Sequence, residues 1–98
     1  MFVIVWRYEV DPQHEAAFRA AYGAAGDWAQ LFAKAQGFLG SSLYRDDATP
    51  GQFLTLDTWI DQAAFDAFQA AHGGAYAALD AKFAHLSQQT RVGAFSAP

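Results

Sequence analysis

Cysteine is absent from this chain. Disulfides, thiolate nucleophiles and cysteine-ligated metals are therefore excluded, and cysteine usage reveals no redox compartment. Basic residues are sparse: six Lys and Arg against ten Asp and Glu give a net charge of −4, and the six are scattered. Without a basic patch, nucleic acid and anionic membranes are disfavoured as partners. No long hydrophobic run is present. The apolar start, Met1 to Trp6, is too short to span a bilayer, lacks a basic leader and runs into Arg7 and Glu9, so it reads as a strand. The expected placement is the cytoplasm. Familiar catalytic and cofactor motifs are missing as well. His14-Glu15-Ala16-Ala17-Phe18 begins like a zinc-protease motif but has Phe18 where the second His belongs. His14, His72 and His85 are far apart and form no metal-spaced pair. No glycine-rich phosphate loop follows a strand, and Ser41, Ser42, Ser87 and Ser96 lack a nucleophile-elbow context. No cofactor and no metal is expected.

What is there is apolar and aromatic. The 98 residues suffice for one domain, spanning 1–98, and 53% of them are hydrophobic, which excludes intrinsic disorder. Aromatics reach 16%, nine of them Phe. A domain of this size buries only about 60–65% of its unfolded surface, so that many rings point to a homodimer.

Along the chain, Phe2–Val10 reads as a first strand, and Asp11-Pro12 stops it and starts a helix carrying Ala17, Phe18, Ala21 and Tyr22. Gly23 to Gly26 interrupts that helix. Asp27 then caps a second segment with Trp28, Leu31, Phe32 and Ala35 on its apolar face, closed by Gly37. Phe38–Asp46 and Gln52–Ile60 form a hairpin about the turn cluster 47–51. Asp61 caps a further helix bearing Ala64, Phe65 and Phe68, which Gly73-Gly74 breaks before Tyr76, Leu79, Phe83 and Leu86. Gln88–Phe95 is the last strand. The order β-α-β-β-α-β predicts an α+β, ferredoxin-like split fold: a four-stranded antiparallel sheet with helices on one face.

The third strand alternates cleanly. Leu54, Leu56 and Ile60 fall on one side and suit the helix-covered face. Phe53, Thr55, Asp57 and Trp59 fall on the other, mixing rings with a carboxylate and a hydroxyl as a pocket wall does. On this reading the mixed face is the uncovered one, and two sheets packed together would enclose a cavity against it.

The same stretches carry a family likeness. Tyr22-Gly23-Ala24-Ala25-Gly26-Asp27-Trp28-Ala29-Gln30-Leu31-Phe32 resembles the helix-break-helix segment of antibiotic-biosynthesis-monooxygenase-type domains. Gly37-Phe38-Leu39-Gly40 leading to Leu43 and Arg45-Asp46 is similar too, as is Phe53-Leu54-Thr55-Leu56-Asp57 followed by Trp59 and a helix with Phe65 and Phe68. Tyr76-Ala77-Ala78-Leu79-Asp80 and the closing Gly93 and Phe95 complete the likeness, which covers nearly the whole chain. The resemblance implies a dimeric α+β barrel. It also implies, for some members, oxygenation of fused aromatic phenols by dioxygen without metal or flavin. Other relatives cleave haem using an Asn on the first strand at the position held here by Trp6. This chain has no Asn anywhere, so haem breakdown ranks last.

Asp57 and Trp59 are the candidate catalytic residues. A buried Asp57 would have a raised pKa and could take a phenol's proton; pairing with Arg7, Arg45 or Arg91 is the plainer expectation. Trp59, at the family's strand-to-helix junction, either bounds a pocket with its indole N–H free to donate or packs at a dimer interface. Trp6, Tyr8, Tyr44, Phe53, Thr55, His72 and Arg91 are candidate substrate contacts, although a surface place at a helix end is the plainer reading of His72. Two functions follow: a cofactor-independent monooxygenase acting on a small aromatic molecule, or a dimeric domain that holds such a ligand unchanged.

Overall fold

The computed structural model describes residues 1–98. Four strands, β1 (Phe2–Glu9), β2 (Phe38–Arg45), β3 (Gln52–Trp59) and β4 (Gln88–Ser96), form one sheet in the order β2-β3-β1-β4. Every neighbouring pair is antiparallel. Helices α1 (Glu15–Tyr22), α2 (Asp27–Phe32) and α3 (Gln62–Phe83) cover one face. This is the ferredoxin-like α+β arrangement the element order predicts.

Local chemistry explains most boundaries. Asp61 caps α3 as expected, its Oδ1 accepting from the Ala64 N–H at 2.8 Å. Pro12 opens a short 3₁₀ turn, but the Asp11 side chain makes no cap bond. The N-cap of α2 is Gly26, with Asp27 inside the first turn, where its charge favours the helix dipole. The expected break in the last helix falls at His72 (φ −124°, ψ 19°), and the helix resumes through Gly73 and Gly74.

The two faces of the sheet are the reverse of the sequence expectation. Phe53, Thr55 and Trp59 are buried under the helices, in register with Tyr8, Trp6 and Phe2 of β1. Trp59 is fully buried, with Phe32, Phe38, Phe65 and Phe68 rings centred 5.2–5.6 Å away. Leu54 and Leu56 lie on the open face, and Ile60, past the end of β3, is half exposed. Volume decides the matter. The helices bring Phe18, Tyr22, Trp28, Phe32 and Phe68 to the interior, and only the ring-bearing side of β3 interlocks with them at core density. Strand alternation separates two faces without saying which one the helices choose.

Both edge strands carry a β-bulge. In β2 the pairing passes from Phe38↔Trp59 to Gly40↔Thr58, leaving Leu39 as the extra residue. In β4 it passes from Gly93↔Val5 to Arg91↔Trp6, leaving Val92 over. Gly40 (φ +152°) and Gly93 (φ +159°) follow the two extra residues in conformations that side-chain-bearing residues rarely adopt. Each bulge reverses which side chains of its strand face the helices.

Candidate active site

The inward positions of three strands and the inner faces of two helices converge on a small pocket. Trp6 and Tyr8 come from β1, Asp57 from β3, and Gln89 from β4; Trp28 and Phe32 come from α2, and Tyr76 and Asp80 from α3. The space between them is about 30 Å³, room for roughly one water molecule. Four surface clefts are larger, about 310 to 530 Å³, but none includes Asp57, Tyr8 or Tyr76; the two largest run along the strand ends near Glu9 and His85 and between Gly37 and the alanine-rich side of α3.

Asp57 is the chemically distinctive group. Its Oδ1 accepts a 2.7 Å hydrogen bond from Ser41 Oγ, which lies directly across from it on β2. No arginine or lysine pairs with it: the two ion pairs of the protein, Glu15–Arg19 and Arg45–Asp47, are on the surface. The expected pairing with Arg7, Arg45 or Arg91 is thus replaced by a neutral hydroxyl. Burial pushes the Asp57 carboxyl up to about 6, and the Ser41 hydrogen bond only partly opposes it.

Two phenols, Tyr8 and Tyr76, share the pocket wall with the carboxylate, and Tyr22 lies behind them. Tyr8 Oη accepts from Thr55 Oγ1 at 3.2 Å. Burial drives the Tyr8 hydroxyl far above the ordinary tyrosine range, the Thr55 hydrogen bond opposes this, and Tyr22, Asp57 and Tyr76 add to the rise. Tyr76 is raised by burial first and then by Asp80 and Asp57, with Arg91 acting in the opposite sense. Tyr22 is raised chiefly by burial. All three phenols therefore stay protonated at neutral pH and are available as hydrogen-bond donors. The Trp28 indole meets Tyr76 edge-on at 5.0 Å and forms a wall, and Gln89 Nε2 donates to Asp80 Oδ1 at 3.4 Å at the exposed mouth.

Of the residues singled out by sequence, the structure brings Trp6, Tyr8 and Asp57 together in the pocket wall. Thr55 stands behind Tyr8, and Arg91 lies inward across from Trp6, close enough to act on Tyr76. Trp59 and Phe53 are core rings outside the pocket lining, and Trp59 Nε1 is buried with no hydrogen-bond partner. Tyr44 is 55% exposed on the open face, sent there by the bulge in β2. His72 packs tilted against Phe68, ring centres 5.4 Å apart, and lines the outer cleft beside Ala64 and Ala67. Trp28, Phe32 and Tyr76 showed in the sequence as helical apolar stripes within the family likeness, which core packing explains equally well, and were not singled out as site residues. Asp80, Gln89 and Ser41 gave no separate signal.

A split α+β sheet whose helices lie over an aromatic, carboxylate-bearing pocket defines a small domain of the ferredoxin-like class. The chain belongs to the antibiotic biosynthesis monooxygenase family, whose sequence pattern matches residues 1–81. Among solved structures it is similar to a mutant of SnoaB, a cofactor-independent oxygenase from Streptomyces nogalater. The identity is 23%, the TM-score 0.73, and 98% of this chain and 91% of that one are covered. A candidate antibiotic biosynthesis monooxygenase of Deinococcus radiodurans matches at 24% identity and TM-score 0.72, covering 100% and 93%. Rv0793 of Mycobacterium tuberculosis matches at 15% and 0.72, covering 99% and 94%. At these identities the likeness shows the fold. No curated protein sequence matches the chain.

Proposed function

We propose that this protein is a cofactor-independent monooxygenase that oxidises a small phenol- or anthrone-like aromatic with dioxygen in the pocket between sheet and helices. One observation carries the reading: a carboxylate without a cationic partner, held at about 6, stands in a wall of aromatic rings. Membership in the family supports a monooxygenase-type activity, and SnoaB supplies a structural relative that is a cofactor-independent oxygenase.

In this reading Asp57 takes the acidic proton of the bound aromatic. The resulting anion is electron-rich enough to reduce dioxygen directly. A carbon–oxygen bond forms and the O–O bond then breaks, so one oxygen atom stays on the carbon as a carbonyl. The other leaves as water with two hydrogens of the substrate. Tyr8 and Tyr76 donate hydrogen bonds to the developing oxyanion, and Arg91 adds positive charge at the rim. Trp6, Trp28 and Phe32 hold the flat ring and exclude water. Because the pocket has room for roughly one water, the ligand enters as the half of α3 beyond His72, carrying Tyr76 and Asp80, moves off the sheet.

The open face supports a homodimer. Val3, Val5, Leu54 and Leu56 are only half covered there, and Tyr44 and Phe95 are exposed. Proteins of this family are commonly dimeric and bind small molecules. Incubating the protein with anthrones and naphthols under air is expected to give a product that has gained one oxygen and lost two hydrogens, at a rate that chelators leave unchanged. Recovery of every substrate intact, with binding still measurable, would instead make this a ligand-holding domain.

A further inference from the structure

The bulge in β2 has a chemical consequence at Asp57. Phe38 faces inward, packed on Trp59 at 5.2 Å. Simple alternation from Phe38 would then point Gly40 and Ser42 inward and Ser41 toward the open face. The extra residue, Leu39, shifts the phase: Gly40 pairs with Thr58, Ser41 with Asp57 and Leu43 with Thr55. Ser41 thus arrives opposite Asp57, half-buried, at 2.7 Å, within the range of a hydroxyl donating to a carboxylate. No other side chain donates to Asp57, and its Oδ2 has no donor in the protein. A β-bulge that re-aims a side chain beside a functional group is a recurrent structural device.

We propose that Ser41 is a positioning residue for Asp57: its hydroxyl engages Oδ1 and leaves Oδ2 as the oxygen that meets the acidic proton of a ligand. The role rests on the reading of Asp57 as the base. The other ionisable groups around this carboxylate are Tyr8 on β1, Tyr76 and Asp80 on α3 and Arg91 on β4; α2 contributes only the rings of Trp28 and Phe32. None of these elements supplies a side-chain hydrogen bond to Asp57; β2 alone does, through Ser41. A donor to the ionised form makes that form easier to reach, so losing Ser41 should make the carboxyl harder to ionise.

The test is a carbon-13 NMR titration of the Asp57 carboxyl in the wild type, Ser41→Ala and Ser41→Thr, which needs no substrate. Ser41→Ala is expected to raise the midpoint by about one pH unit, roughly tenfold in proton affinity, and Ser41→Thr to restore it. A parallel pH profile of aromatic oxidation should move upward by the same amount in Ser41→Ala, with KM within about twofold of wild type. A midpoint that stays put or falls in Ser41→Ala overturns the proposal. Turnover by no variant, with the carboxyl midpoint still shifted, would instead remove the monooxygenase reading and leave the Ser41–Asp57 coupling standing.

Discussion

Burial holds the Asp57 carboxyl at about 6 against an ordinary 3.8, and that shift links chemistry to stability. The folded protein binds this proton more tightly than the unfolded chain does. Asp57 therefore contributes stability at low pH that is lost as pH rises from 3.8 through about 6. Above that range the ionised group costs about 2 kcal/mol, allowing for partial exposure. Asp57→Asn should remove this slope in denaturant titrations between pH 4 and 8 and leave the protein the more stable of the two at pH 8. The same change should lower aromatic oxidation by about 10²–10⁴-fold. Unchanged stability at pH 8 would contradict the burial argument. Trp59 gives the opposite profile. With its ring fully buried among four Phe rings, Trp59→Ala should cost about 3–5 kcal/mol by calorimetry, whereas a residue spent mainly on a ligand would cost little. Both residues stood out in the sequence. Their separation into a pocket acid and a core ring did not, because alternation places them on the same face and only the positions of the helix rings distinguish the two environments.

At the scale of the element, what was legible tracks what is periodic. The caps, the turn cluster and the helical stripes follow repeats and punctuation, and the structure follows them closely except that α2 ends at Phe32, well short of the expected stop at Gly37. Bulges break the period. One extra residue in β2 turned Tyr44 outward and Ser41 inward, and one in β4 brought Arg91 and Gln89 to the pocket side. An exposed Leu39 or Val92 carries no mark of its own; the glycine that follows each is the one visible sign. The interrupted helix α3 yields a test of ligand entry. A Cβ added at Gly73 or Gly74 meets nothing within 4 Å, so Gly73→Ala with Gly74→Ala should fold without clash. Each change is worth ~1 kcal/mol in helix propensity, and Tm should rise by roughly 8–16 °C. If the half of α3 beyond His72 moves to admit the ligand, stopped-flow fluorescence should show slower association in this variant. Faster or unchanged association would place the entry elsewhere.

Across the whole molecule the abundance of rings proved a poor argument for a dimer and the open face a better one. The helices and one side of the sheet absorb nearly all the aromatics, and only Tyr44 and Phe95 remain exposed. What lacks a cover is the aliphatic side, with Val3, Val5, Leu54 and Leu56 adjacent across β1 and β3. Light scattering should give a dimer for the wild type and a monomer for Leu56→Lys, with the far-ultraviolet spectrum retained. A monomeric wild type at micromolar concentration would contradict the dimer. The account depends most on where the ligand goes: between sheet and helices against Asp57, or onto the open face. Three tryptophans make the question directly measurable. In a proton–nitrogen NMR titration with a hydroxylated naphthalene, the Trp6 and Trp28 indole signals should shift together, with Trp59 moving less and the backbone signals of Leu54 and Leu56 staying in place. Shifts confined to the open face, with Trp6 and Trp28 unmoved, would contradict the account.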